Sequence, residues 1–198
     1  MMWLAGIEED VMAPKRPQAA AEKRAEIVAT ARRLFIDAGY DATPMSRLAK
    51  EAGVAPNTIY WYFPDKDEVL IAVLDAVMAD VWPQYEEIAS QPIAARLLWI
   101  VGKLTEMSRL VTTVHARVEH SAAIAEWHQN FHTITGSLLQ FELQAAGVPA
   151  PDAEVMIGVF TIEGLLMHDH DEAQQRAIID ALASRWTTNP PRPSDLGG

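Results

Sequence analysis

Between residues 55 and 63 about two and a half helical turns carry four groups able to recognise another molecule. With Ile59 set inward and 100° advanced per residue, Ala55, Pro56, Tyr62 and Phe63 fall within about 60° of it. Asn57, Thr58, Tyr60 and Trp61 fall about 100° or more away, on the outer face. An amide, a hydroxyl and two aromatic groups displayed opposite an apolar support suit contact with base edges in a major groove.

The elements that must hold this face are short. Thr43 is a good N-cap, and Pro44 suits a first helical position, where a missing N–H costs nothing. Leu48, Ala49 and Ala52 give the first helix an apolar side, and Gly53 supplies the conformation that stops it. Pro64 ends the second helix, because it disfavours helix just before itself. Helix, tight turn and helix together read as a helix-turn-helix. The same pattern also fits a plain helical hairpin in a bundle, with Trp61 covered by a neighbour.

The stretch from residue 27 to 74 resembles the N-terminal domain of the TetR family of bacterial transcription regulators. The matching residues are ARRLFIDAGYDAT at 31–43 and RLAKEAGVAPNTIYWYFPDKDEVL at 47–70. Two positions depart from the family pattern. Ala55 stands where a capping residue is usual, and Asn57 stands where glycine is common. The resemblance implies an all-α fold: a three-helix DNA-binding domain at 19–65 and a helical effector-binding and dimerisation domain at 66–187, about nine helices in all. It also implies that Lys66 contacts the DNA backbone. With it, Thr43 and Arg47 are expected to hold phosphates, while Asn57, Thr58, Tyr60 and Trp61 face the groove.

Composition sets the bounds. The 198 residues are 49% hydrophobic and 22% charged, as in globular proteins, and there is no cysteine for a disulfide or thiol site. No run approaches a membrane span, and the first residues are acidic where a signal peptide wants bases, so a cytoplasmic protein without a membrane partner is expected. The net charge of −11 is polarised. Residues 13–65 net +2, and residues 66–198 net −10. The least acidic portion is thus the proposed DNA end.

Along the chain, residues 1–18 and 188–198 read as disordered tails. Met12 is an alternative start, and Lys15 and Arg16 form either a DNA-reaching arm or a solvated pair. A first helix over 19–38 buries Ile27, Ala31, Leu34, Phe35 and Ala38 and stops at Gly39. Its Lys23 and Arg24 either touch phosphate or pair with Glu22 and Glu26. Asp65 and Glu68 form a capping box for the next helix, which Pro83 bends or ends. Helices are then expected at 93–110, 112–125, 126–146, 152–168 and 171–186.

The helix at 152–168 is apolar almost all round, which requires cover on all sides. The resemblance implies dimerisation through the last two helices, with Val155, Val159, Ile162, Leu166, Ile178, Ala181, Leu182 and Trp186 at the interface. Gly158 and Gly164 would allow close helix approach. An internal core is the alternative.

The resemblance further implies a sensor body. Candidate effector-lining residues are Trp82, Trp99, Met107, His115, Trp127, Phe131, His132 and Phe160, although each taken singly suits plain core better. His128 with His132, and His115 with Glu119, share helix faces, but a zinc site needs three or four convergent ligands, so no metal and no cofactor is expected. No nucleophile–base pair or phosphate loop marks an enzyme. The expectation is a homodimeric regulator, released from a pseudo-palindromic operator by a small molecule of partly apolar or aromatic character. The alternatives are an activator, an effector-independent regulator of the same fold, or an all-helical enzyme.

Overall fold

The computed structural model describes residues 15–187, with side chains from Ala19 onward. The expected tails, the alternative start and the Lys15–Arg16 arm lie wholly or in their side chains outside the described residues. Nine helices and no strand occur among those described: α1 (Lys15–Asp37), α2 (Met45–Glu51), α3 (Pro56–Tyr62), α4 (Lys66–Ile88), α5 (Ile93–Glu106), α6 (Ser108–Arg117), α7 (Ala122–Ala145), α8 (Pro151–Met167) and α9 (Glu172–Thr187).

The helix ends follow local chemistry, and several differ from expectation. α1 starts four residues earlier than expected, with Pro17 in its first turn, where the N–H has no helical acceptor to lose. It closes before Gly39, whose φ of +93° is a left-handed conformation open to glycine. Gly53 (φ +66°) and Gly147 (φ +71°) close α2 and α7 in the same way. Asp65 caps α4 by accepting from the Glu68 N–H at 2.9 Å. Pro83 does not end α4, which continues to Ile88; one lost backbone bond is carried by the turns on either side. The expected 93–110 helix instead breaks at Met107 (φ −108°, ψ 20°), giving α5 and α6. α7 begins at Ala122, not residue 126, because Ser121 caps it through the Ile124 N–H.

Two cores hold the helices. The first gathers Ile27, Ala31, Leu34 and Phe35 of α1, Leu48, Ile59 and Phe63 of the reader, and Val69, Leu70 and Val73 of α4. It extends to Leu110 and Val114 of α6 and Ile124 of α7, so it runs across the 65/66 division into the body. The second joins Leu97 and Val101 of α5, Leu143 and Val148 at the end of α7, Leu165 of α8, and Ile179, Leu182 and Trp186 of α9.

That second core corrects part of the expected interface. Leu182 (4% exposed) and Trp186 (5%) are spent within the chain, and Val155 and Ile162 pack against them. Gly158 does permit close approach: a Cβ there would meet the Trp186 ring at 3.2 Å, whereas nothing lies within 4 Å of one on Gly164. The residues of α8 left outside are Met156, Ile157, Phe160 and Met167, with Ile178 on α9 and Ile134, Leu138 and Phe141 on α7. Helical period alone separates inside from outside but not one apolar partner from another.

Candidate nucleic-acid interface

The reader is built from a tight local network. The Ala52 N–H donates to Leu48 O at 2.9 Å and the Val54 N–H to Ala49 O at 2.9 Å, closing α2 over Gly53. α3 then starts at Pro56 with Ala55 as N-cap, and Ala55 offers no side-chain acceptor. Ile59 (0% exposed) and Phe63 (1%) anchor α3 in the first core. Arg24 of α1 lies over the Phe63 ring, 4.6 Å from its centroid, while Lys23 pairs with Glu26.

Asn57, Thr58, Tyr60 and Trp61 all face outward; Trp61 is 72% exposed, supported edge-on by Tyr62 at 4.8 Å. Ala55 and Pro56, expected on the supported side, are exposed as well. Tyr60 beside Trp61 is 54% exposed, so α3 presents two open aromatic rings.

The three expected phosphate residues differ in availability. Arg47 is exposed and donates to Ala42 O at 2.9 Å, leaving most of its donors unused. Thr43 is corrected on two counts. It is fully buried, and its hydroxyl donates back to Gly39 O at 2.9 Å, so it neither holds phosphate nor caps α2, whose N-cap is Pro44. The turn from Gly39 to Pro44 folds the hydroxyl inward, which no residue type announces. Lys66 is half-buried, with its ammonium donating to Tyr40 O at 3.1 Å and lying 3.9 Å from the Tyr40 ring centroid. Burial lowers its pKa, and the nearby Arg117 charge lowers it further while Asp41 and Asp67 oppose. Two ammonium protons remain for a further acceptor.

The eight effector candidates separate into two groups and two residues apart from both. Trp82 stands near Tyr85, and Tyr85 near Trp99, each with ring centroids 6.1 Å apart. Trp127 stacks on Phe131 at 5.5 Å with rings 9° from parallel, its N–H on Asp75 at 2.8 Å. His132 adjoins Phe131, His128 adjoins His132 and His115 adjoins His128, the last two centroid distances being 4.4 and 5.1 Å. Met107 packs against the first core at the α5–α6 break. Phe160 is 62% exposed and faces away from the described residues. An open groove between α1 and α4, bordered by Val28, Arg32, Ile36, Ala72, Ala76 and Asp80, contains none of the eight. Among the described residues, no three His, Cys, Asp or Glu side chains converge to hold a metal ion.

Charged residues were the part least visible beforehand. Arg96, 9% exposed, donates to both Glu142 oxygens at 2.8 and 2.6 Å and to the Tyr85 hydroxyl at 2.9 Å. Arg117 reaches Asp67 across 50 positions of sequence. Nothing local in the sequence signals pairs so distant.

Residues 27–73, which contain α2, α3 and their supports, match the model described as bacterial regulatory proteins, tetR family. This stretch is a tetR-family regulatory domain. The chain is 39% identical over 62 residues to the HTH-type transcriptional regulator HbdR of Aromatoleum sp. (strain CIB), covering 31% of this chain and 27% of HbdR. The match thus spans about a quarter of that relative's length. Against the transcriptional regulator RutR of Escherichia coli (strain K12), identity is 26% over 203 residues, covering 86% of this chain and 95% of RutR. A transcriptional regulator from Saccharomonospora viridis, solved in complex with choline, shares the fold at a TM-score of 0.63 and 21% identity, covering 84% of this chain and 94% of that one. All three are named as transcriptional regulators, so the enzyme alternative gains no support from them. Among the described residues, no helix is long and apolar enough to cross a membrane.

Proposed function

We propose that this chain is a homodimeric, ligand-responsive regulator of the TetR family, most simply a repressor, that reads a pseudo-palindromic operator with α3. The observation that carries this reading is the outward face of α3, with Trp61 72% exposed while Ile59 and Phe63 beneath it are sealed. Asn57, Thr58, Tyr60 and Trp61 meet base edges, and Arg47 and Lys66 hold phosphates. A positive-leaning reader on an acidic body directs the duplex to this end of the molecule.

The exposed apolar residues of α8 and α9 support a two-fold partner. Met156, Phe160, Met167 and Ile178 lie open on helices whose other faces are already packed, and none of the described residues covers them. Val159, Leu166 and Ala181 accompany them in this interface. The effector reading rests on the Trp82–Tyr85–Trp99 and Trp127–Phe131–His132 groups, with His115 at the edge of the second. That the Saccharomonospora viridis regulator of this fold was solved in complex with choline supports a small-molecule effector here.

Two substitutions test the division of labour on DNA. Lys66→Ala should weaken binding to all duplexes alike and lower the salt slope by about one. Asn57→Ala should chiefly relax choice among sites, costing about 1–3 kcal/mol on the preferred duplex and little on random sequence. Equal losses on both kinds of duplex for both variants would count against it.

A further inference from the structure

Arginines at both ends of α6 tie it to the helices that flank the reader. Near its start, Arg109 donates to the Asp37 carbonyl at the end of α1 at 2.5 Å. In its last turn, Arg117 reaches Asp67 in the first turn of α4, Nη2 donating to Oδ2 at 2.7 Å. The Nε atom stands only 2.6 Å from Oδ1 but is not aligned to donate to it, so one good hydrogen bond and a close ion pair hold the two groups. Side-chain exposures of 30% for Arg117 and 16% for Asp67 place the pair partly out of water, where it is screened less than a surface pair.

Asp67 is shared. It also accepts from the Tyr40 hydroxyl, and the Tyr40 ring has the Arg117 guanidinium carbon 5.3 Å from its centroid. The other cation over that ring is Lys66, which also takes the Tyr40 carbonyl as its acceptor. One tyrosine, at the α1–α2 connection, therefore supplies both contacts that orient Lys66. The hydroxyl of that tyrosine is held by a carboxylate that a body arginine clamps. Burial pushes the Asp67 carboxyl up, but the bonds from Arg117, Tyr40 and Ser121 together outweigh it and keep the group ionised.

We propose that Arg117, a residue of α6 and not of the two-helix reader, is a positioning residue for DNA binding: through Asp67 and Tyr40 it sets the ring and carbonyl against which Lys66 rests. This rests on the DNA-binding reading above. The seating of α6 then sets how firmly Lys66 is held toward a phosphate. His115, on the same helix two residues before Arg117, joins that helix edge-on to His128 of α7, so a change in the body has a short covalent route to the clamp.

The test is a binding cycle on the full chain, using the duplex that wild type enriches from a random-sequence library at about 0.15 M salt. Arg117→Gln and Asp67→Asn should each weaken Kd on the order of tenfold. Either should lower the salt slope by about one ion, as Lys66→Ala does. In the Lys66→Ala background Arg117→Gln should cost nothing further, because its effect passes through the ammonium already removed. Should Arg117→Gln fail to fold, Arg117→Lys enters the same cycle, with an intermediate loss expected because one charge remains without the guanidinium fork.

Arg117→Gln binding within twofold of wild type, or an undiminished loss in the Lys66→Ala background, overturns the proposal. If Lys66→Ala alone binds as wild type does, the route through Lys66 is wrong while the DNA-binding reading stands. If wild type enriches no duplex, that reading fails and takes this proposal with it.

Discussion

Trp61→Ala separates recognition from folding. The side chain is 72% exposed, so only about a quarter of an indole that can bury up to ~250 Å² is in contact with the chain. Roughly 70 Å² at ~25 cal/mol per Å² sets a ceiling near 2 kcal/mol, which includes the edge contact with Tyr62. For a chain of this size that corresponds to a fall in Tm of no more than about 7 °C. Phe63→Ala, at a position 1% exposed two residues away, should cost about 3–5 kcal/mol and so roughly 6–20 °C. On DNA the order reverses in kind. Loss of a base-facing group costs about 1–3 kcal/mol, or about 5- to 150-fold in Kd, in a chain that is still folded. Thermal melts and fluorescence anisotropy on one labelled duplex give both numbers. If Trp61→Ala binds as wild type does, or if its Tm falls as far as that of Phe63→Ala, the outward-reader geometry is wrong.

Further outcomes follow from the body. Phe160→Glu, at a side chain 62% exposed, should leave the fold intact yet yield a 21.9 kDa monomer by light scattering, where wild type gives about twice that mass; an unchanged dimer would remove Phe160 from the interface. The His128 and His132 pKa values are lowered chiefly by burial, helped by the neighbouring imidazoles and opposed by Glu163. The unfolded chain therefore binds more protons than the folded one as pH falls through the ordinary histidine value near 6.5. Stability should decline below that pH and level off only beneath the folded values. A His128→Gln/His132→Gln double variant should flatten the Tm profile between about pH 7.5 and 5.5; an identical slope would show that these two groups do not drive it. Arg96→Met should destabilise, because it strands Glu142 and the Tyr85 hydroxyl at a position 9% exposed. A loss of about 3 kcal/mol is expected in urea melts, at the lower end for a broken buried pair because Glu142 is partly open to water.

The reader was legible because its signals are local. Ile59 and Phe63 stand a turn apart, Gly53 stops α2 where a left-handed residue is needed, and Asp65 caps α4 three residues before Glu68. Local chemistry also misled. Thr43 is a good cap by type, but the turn from Gly39 points its hydroxyl back into the chain. Leu182 and Trp186 lie on an apolar stripe, and period 3.6 cannot say whether such a stripe meets α5, α8 or a second copy. Phe160 fits a cavity by composition and faces out by its angle on α8. Long-range pairs were hidden altogether: Arg96 with Glu142 and Arg117 with Asp67 are separated by 46 and 50 residues, and no spacing rule links them.

The central claim is that two copies of α3 read one duplex. Selection of bound fragments by the full chain at about 0.15 M salt, followed by footprinting of the enriched duplex, tests it most directly. The expected product is a pseudo-palindrome with half-sites about one helical turn apart, or a multiple of that spacing, protected by one dimer. Enrichment of no sequence, or of a single asymmetric site filled by one chain, would contradict it.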